Sequence, residues 1–180
     1  MRRASLVVAL ALLAAASACR KPQPQAKNIS EANNVAMRPV RLYFEDGNSL
    51  LTAELHNLPL PENPAAAIPL VVREMMKGPG NASLARLFPP DTIVRGAYLL
   101  PDGTAFVDLG GATLQQGWGT GTHEELMAVF SLVQTVTTNF AEVKKVRLLV
   151  NGEPAETLAG HVWLGRSLRP MASLVEPASR

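Results

Sequence analysis

Segments in which apolar and polar residues alternate dominate the chain after residue 39. A period of two is typical of strands with one buried face. Turn-forming residues separate these segments, at Asp46-Gly47-Asn48, Pro101-Asp102-Gly103 and Asn151-Gly152. The pattern therefore predicts three hairpins, with strands at 40–44 and 50–56, at 92–100 and 104–109, and at 143–150 and 153–157.

Two other segments repeat apolar residues at the helical spacing of three or four. Gly78-Pro79 ends the first predicted helix, but its start is open. Asn63-Pro64 could cap and begin it, yet an interior Pro69 would lose a hydrogen bond, so the regular helix could instead begin near Pro69. The apolar face of this helix consists of Ile68, Val71, Val72 and Met75.

The second predicted helix begins near Thr122. Thr122 and Glu125, three residues apart, form a capping-box pattern, in which two side chains satisfy backbone N–H groups at a helix start. The apolar stripe that follows predicts a buried helix face. It consists of Leu126, Val129, Phe130, Val133 and Val136 or Thr137.

Strand pairs interleaved with two amphipathic helices predict an α+β fold, in the form of a mixed α/β sandwich. We expect a single sheet of about 4–6 strands, with the two main helices packed on one face. Residues 39–170 are sized for one domain, and we expect residues 171–180 to be a disordered tail.

The N-terminal segment has the charged, apolar and small-residue order of a secretory signal peptide. Met1-Arg2-Arg3 comes first, an apolar stretch from Leu6 follows, and Ala16-Ser17-Ala18 precedes Cys19. We expect residues 1–18 to be removed, because the apolar stretch is several residues short of the roughly 20 that cross a membrane. The Arg2-Arg3 pair leaves a twin-arginine signal as an alternative export route.

Cys19 is the chain's one cysteine and cannot form an internal disulfide. Its place after two small residues resembles the lipobox of bacterial lipoproteins, which implies a lipid anchor followed by a flexible tether over residues 19–38. Arg20 favours the periplasmic face of an outer membrane in a diderm cell; a monoderm cell would carry the protein on the outer face of its membrane. Because Ala16 stands where the lipobox usually has Leu, ordinary cleavage to a secreted soluble protein is the alternative.

The charge balance gives no argument for nucleic-acid binding. The chain has 17 basic and 15 acidic residues, and the predicted signal peptide contains Arg2 and Arg3 but no acidic residue. The mature protein would therefore carry 15 residues of each sign. Binding to nucleic acid would instead demand a clustered basic face.

The order of several short motifs resembles a known domain over nearly the whole folded region. These motifs are Met75-Met76-Lys77-Gly78-Pro79, Phe88-Pro89-Pro90-Asp91-Thr92, Asp102-Gly103-Thr104-Ala105-Phe106-Val107, Gly121-Thr122-His123-Glu124-Glu125-Leu126, Val146-Arg147-Leu148-Leu149-Val150-Asn151-Gly152 and Glu156-Thr157-Leu158-Ala159-Gly160-His161. Together they resemble the GerMN (germane) domain. That resemblance implies a bacterial envelope lipoprotein with a non-catalytic module for ligand binding or assembly, and it supplies no catalytic residues. A role in sporulation does not follow from it.

No motif predicts a metal, a cofactor or a catalytic residue. His56, His123 and His161 lack the paired spacing of a metal site. The most suggestive segment is Gly117-Trp118-Gly119-Thr120, because a glycine-rich loop before a helix exposes N–H groups that can hold an anion, and Trp118 could cover a sugar, a peptide or a partner. With His161, it is the candidate ligand or partner site. The alternative is a flexible loop closed by a helix cap, with a structural His161.

These observations favour an envelope module over an enzyme. We expect a lipid-anchored protein that binds an envelope protein partner or self-associates, through its sheet edge or the Trp118 loop. The alternative is a sensor of small cell-wall fragments. A cell-wall hydrolase is the third hypothesis, which needs acidic or histidine side chains to converge in a cleft.

Overall fold

The structure is a computed structural model that describes residues 35–177. The elements of this part of the chain are β1 (Val35–Glu45), β2 (Leu51–Pro61), α1 (Pro64–Met76), β3 (Ile93–Leu99), β4 (Thr104–Gly110), α2 (Ala112–Gln116), α3 (Thr122–Asn139), β5 (Lys145–Val150), β6 (Glu153–Pro154) and a 3-10 turn (Ala172–Leu174). The predicted signal peptide, Cys19 and most of the predicted tether lie outside the described residues. Within 35–177, no helix is both long enough and apolar enough to cross a membrane.

β1 and β2 form an antiparallel ribbon, which confirms the first predicted hairpin. The two strands pair without interruption over 11 residues each, further than the sequence indicated. β1 begins at Val35, so the end of the segment expected as tether, residues 35–38, belongs to the sheet instead. Val40, Leu42 and Phe44 are buried, as alternate residues on the core face of a strand should be.

A second sheet contains the other four strands in the order β3-β4-β5-β6. β3 and β4 are the second predicted hairpin, joined at the Pro101-Asp102-Gly103 turn. β5 lies parallel to β4, and α3 provides the crossover that a parallel connection needs. β6 has two residues, so the return strand predicted at 153–157 is shorter than expected.

The α+β class is confirmed, but the six described strands form two sheets where one was expected. At the outer edge of β1, α3 takes the place where a strand of the second sheet could otherwise pair. The Tyr43 N–H donates to Thr135 Oγ1 at 3.0 Å, and Asn139 bonds both the N–H and the C=O of Arg41. The helices connect the sheets, because α1 packs against β2 and β3 and α3 packs against β1 and β5.

α1 begins at Pro64, so the helix start predicted at Asn63-Pro64 is correct and the later start near Pro69 is not. Asn63 is its N-cap, and its side-chain oxygen accepts the Ala65 N–H at 3.0 Å. Pro69 lies buried inside the helix, so the Ala65 carbonyl has no i+4 N–H to accept. Gly78 follows the last turn with a φ of +85°, a conformation that glycine adopts without strain.

The capping box predicted for α3 is wrong. Gly121 is the N-cap, Thr122 is already helical, and no side chain caps the helix start. Glu125 points into the protein and is fully buried. The sequence pattern concealed this because a Glu in a first helical turn satisfies the capping rule whichever way its side chain turns.

The prediction of a disordered tail is wrong for residues 171–177. Val175 forms a parallel bridge with Leu51, and the Glu176 N–H donates to the Leu51 carbonyl at 3.0 Å. Leu174 and Val175 are half-buried against the core, which gives this segment an apolar reason to remain on the domain.

Candidate functional site

A half-open groove of about 370 Å³ lies beside the end of β1 and the start of α3. Its apolar wall is a stacked aromatic pair, since the rings of Phe88 and Trp118 lie 5.9 Å apart with 16° between their planes. Such offset stacks stabilise the two rings against one another and present a flat apolar surface. The lining residues are Glu45, Ala85, Arg86, Leu87, Phe88, Pro89, Pro90, Trp118, Thr120 and Glu124.

The glycines around Trp118 are explained by backbone geometry. Gly117 has a φ of +97° and Gly119 a φ of +57°, which side-chain-bearing residues rarely adopt. A Cβ at either position would meet nothing within 4 Å, so the reason for glycine is the turn and not a close approach. The two glycines let the loop turn Trp118 back onto Phe88, where it is half-buried against the core.

Two carboxylates and one guanidinium line the groove. Glu45 and Glu124 both line it, and Glu45 Oε1 lies 2.6 Å from Nε2 of His123. Arg86 also lines the groove, but its guanidinium donates to the carbonyls of Met76 and Lys77 at the end of α1. Glu124 belongs to the first turn of α3, where its carboxylate opposes the anion that a helix start could otherwise hold. The arrangement suits a cationic or neutral ligand better.

Two of the predicted site residues line the groove and three do not. Trp118 and Thr120 lie in its wall, together with Phe88, which is not among the predicted site residues. Gly117 and Gly119 shape the loop without lining the cavity, and His161 is held in another loop. Phe88 carries a signal only in its Phe-Pro-Pro sequence, which does not reveal that Trp118 stacks on it.

His161 is positioned by the buried carboxylate of Glu125. Oε1 accepts the N–H groups of Leu158 and Ala159 at 2.7 and 2.9 Å, and Oε2 accepts those of His161 and Val162 at 2.7 and 3.1 Å. The Nδ1 atom of His161 lies 3.3 Å from the same carboxylate. Glu125 therefore fixes the 158–162 loop against α3.

The pKa of Glu125 depends on two opposing effects, burial and hydrogen bonding. Burial, the largest single influence, raises its pKa, but the four backbone hydrogen bonds together outweigh burial and hold the pKa below its usual value of 4.5. Glu125 is therefore a carboxylate in the folded protein at neutral pH. A buried charge satisfied in this way is a structural anchor, and Glu125 is not among the residues that line the groove.

Each histidine within residues 35–177 lies beside a glutamate. His56 stands between Glu54 and Glu74, with Nε2 2.5 Å from one carboxylate and Nδ1 3.3 Å from the other. No group of three or more His, Cys, Asp or Glu side chains in the described part of the chain is arranged to hold a metal ion. These pairs instead connect neighbouring elements of the fold.

Comparisons with known proteins agree with the fold. Residues 41–156 match the model of the Germane family, described as sporulation and spore germination. The tandem GerMN domains of the sporulation protein GerM from Bacillus subtilis align with a TM-score of 0.57 at 23% identity, over 74% of this chain and 46% of that one. A candidate lipoprotein from Clostridium perfringens aligns with a TM-score of 0.54 at 16% identity, over 74% and 88%. A search of curated proteins gave no match.

Proposed function

The chain belongs to the Germane family, and from this premise we propose that it is a non-catalytic binding module of the cell envelope, held to a membrane by a lipid on Cys19. Two observations support the anchor: the signal-like residues that precede Cys19, and the likeness in fold to a candidate lipoprotein. Mass spectrometry of the mature N-terminus tests it. A chain beginning at Cys19 with diacylglyceryl mass is expected, and an unmodified Cys19 would contradict it.

The observation that carries the binding role is the Phe88–Trp118 wall of the groove. A groove lined by aromatic and proline side chains can receive an extended segment of another protein, and the rim carboxylates of Glu45 and Glu124 favour segments with Lys or Arg. The stacked pair holds Trp118 in place before binding, which lowers the entropy lost when a partner docks. The proposed ligand is a basic, extended segment of an envelope protein.

Site-specific photocrosslinking in the native envelope tests this role. A photoreactive residue at Thr120, in the groove wall, should give a discrete adduct with one envelope protein. The same residue at Glu153, exposed in β6, is the matched control and should give none. Replacement of Trp118 by Ala should abolish the Thr120 adduct. Identical adducts from both positions, or an adduct that survives Trp118→Ala, would exclude the groove as the binding site.

A cell-wall fragment is the second candidate ligand, because a flat aromatic surface beside carboxylates also suits a sugar. Trp118 and Trp163 are the chain's two tryptophans, so a Trp163→Phe variant makes fluorescence specific to the groove. Titration with muropeptides and glycans should change the Trp118 emission if this candidate is correct. Unchanged emission across the panel, together with a crosslinked protein partner, would decide for the protein ligand.

The groove also permits a direct test of the hydrolase hypothesis. Glu45 and Glu124 both line it, but Glu45 is engaged by His123, and the stacked wall is a binding feature. We therefore favour binding over hydrolysis. Release of soluble fragments from labelled peptidoglycan, lost in Glu124→Gln, would overturn that preference.

A further inference from the structure

The outer edge of β2 offers backbone groups to a further strand. In an antiparallel ribbon, alternate residues direct their N–H and C=O away from the neighbouring strand. The odd-numbered residues of both strands direct these groups outward. On β1, α3 bonds the backbone of Arg41 and Tyr43, and on β2 the Glu176 N–H bonds the Leu51 carbonyl. The outward groups of Ala53, Leu55 and Asn57 bond to no residue within 35–177.

The open part of this edge has defined limits. At one end, Glu176 already occupies the Leu51 carbonyl. At the other end, Pro59 has no N–H to donate. With respect to residues 35–177, the open window therefore runs from Ala53 to Asn57, and its centre is Leu55.

The residues of this window whose backbone groups face outward are all neutral, so they carry none of the charges that usually protect a free edge. Leu55 is 69% exposed. On the same face of the ribbon, Met37 is 66% exposed. The outer edge of β1, in contrast, is covered by α3 at Arg41 and Tyr43.

We propose that this edge pairs with the same edge of a second copy of the chain, antiparallel and centred on Leu55. In that register Leu55 opposes Leu55, and Ala53 opposes Asn57 on both sides of a two-fold axis, so every open N–H and C=O is used. A shift by two residues would bring Asn57 opposite the occupied Leu51, or Ala53 opposite Pro59. The symmetric register is therefore the one that the edge itself favours.

The polar side chains on the other face of the ribbon are compatible with this register. Glu54 and His56 flank Leu55 symmetrically, so Glu54 of each copy would stand opposite His56 of the other and not opposite a second carboxylate. Like charges directly opposite one another destabilise a strand pair. No like charges are opposed anywhere in the window.

This inference goes beyond the proposed groove function and does not depend on it. The groove is lined by Phe88, Trp118 and their neighbours, none of which belongs to β2. Loss of the Thr120 crosslink would leave the edge pairing untouched, and loss of edge pairing would leave the groove able to bind its partner. The two proposals can therefore fail separately.

Single-cysteine crosslinking tests the register. The full chain carrying Cys19→Ser has no other cysteine, so Leu55→Cys and Ala53→Cys each introduce one thiol. Opposed Leu55 positions would have Cα atoms about 5.5 Å apart. Paired Ala53 positions would lie roughly 14 Å apart, since they are offset by four residues. With a short bis-maleimide, Leu55→Cys should give at least about ten-fold more covalent dimer than Ala53→Cys.

A mixing experiment distinguishes the register from chance collisions. Ala53→Cys and Asn57→Cys should each crosslink poorly alone and should form the mixed dimer efficiently when combined. Equal yields from Leu55→Cys and Ala53→Cys, or no gain on mixing, would overturn the proposal.

In sedimentation equilibrium, Leu55→Lys should weaken the concentration-dependent dimer at least about ten-fold, because it opposes like charges at the axis. Leu70→Lys, at an exposed position of α1, is the matched control; an equal effect of both would also overturn it.

Discussion

Replacement of Glu125 by Ala should be among the most destabilising single substitutions in this protein. The side chain is fully buried, and its carboxylate is the partner of four backbone N–H groups in the 158–162 loop. Unpartnered buried donors cost about 1–3 kcal/mol each, but Leu158 is the one buried residue among the four donors, and the other three are partly or fully exposed. Adding the cavity left by the side chain, we expect the free energy of unfolding to fall by about 3–5 kcal/mol.

Glu125→Gln separates charge from shape. Glutamine keeps one carbonyl oxygen, which can still accept two of the N–H groups. Its amide nitrogen must then face the other two donors. We expect a loss of about 2–3 kcal/mol, between the wild type and the alanine variant.

The pH dependence follows from the lowered pKa of Glu125. A carboxyl whose folded pKa lies below its unfolded pKa contributes stability that is fully present above the unfolded value, here 4.5. That contribution is lost as the pH falls through the folded pKa. Stability of the wild type should therefore decline in acid below about pH 4.5, and Glu125→Gln should show a shallower decline.

Urea denaturation followed by circular dichroism provides the measurement at each pH. Glu124→Gln is the control, because Glu124 is exposed on the same helical turn and should change stability by less than about 1 kcal/mol. A loss of under about 1 kcal/mol in Glu125→Ala would refute the reasoning, since it would mean that the loop does not depend on the buried carboxylate.

Three further substitutions test local features of the fold. Asn63→Ala removes the N-cap of α1 and should cost about 1 kcal/mol in urea denaturation. Gly103→Ala should cost about 1–3 kcal/mol, because φ is +81° and a Cβ would meet a backbone oxygen at 2.8 Å; Gly47→Ala, with open space around it, is the control. Asp102→Asn should lower the melting temperature at pH 7. Its deficit should vanish as the pH falls to about 2, where hydrogen bonds from Thr104 and the contact with Lys145 hold the pKa of Asp102.

The elements of the fold could be predicted from the sequence wherever local chemistry decides them. Asp102-Gly103 and Asn151-Gly152 mark turns because few residues tolerate their backbone conformations, and Asn151 and Gly152 indeed have φ values of +54° and +85°. The division into two sheets could not be predicted in this way. The contacts of Thr135 and Asn139 with the edge of β1, for example, join residues more than 90 apart in the sequence, which no local pattern encodes.

The same distinction applies to the candidate site. Trp118 could be selected because glycines flank it, and the positive φ values of Gly117 and Gly119 explain those glycines. Its stacking partner Phe88 could not be selected, because the contact joins two loops that the sequence separates by 30 residues. The role of Glu125 could not be predicted for a related reason: its four partners lie in a loop more than 30 residues away.

Three successive residues at the start of α3 contact different parts of the molecule, and we expect these contacts to determine how rigid the groove is. His123 reaches Glu45 at the end of β1, Glu124 lines the groove, and Glu125 holds the 158–162 loop. The helix start has no side-chain cap of its own, so these tertiary contacts stabilise its first turn. The contacts of His123 and Glu125, which do not line the groove, therefore help to hold the start of α3 beside it. Loosening Glu125 should therefore weaken partner binding as well as stability, although Glu125 does not line the groove.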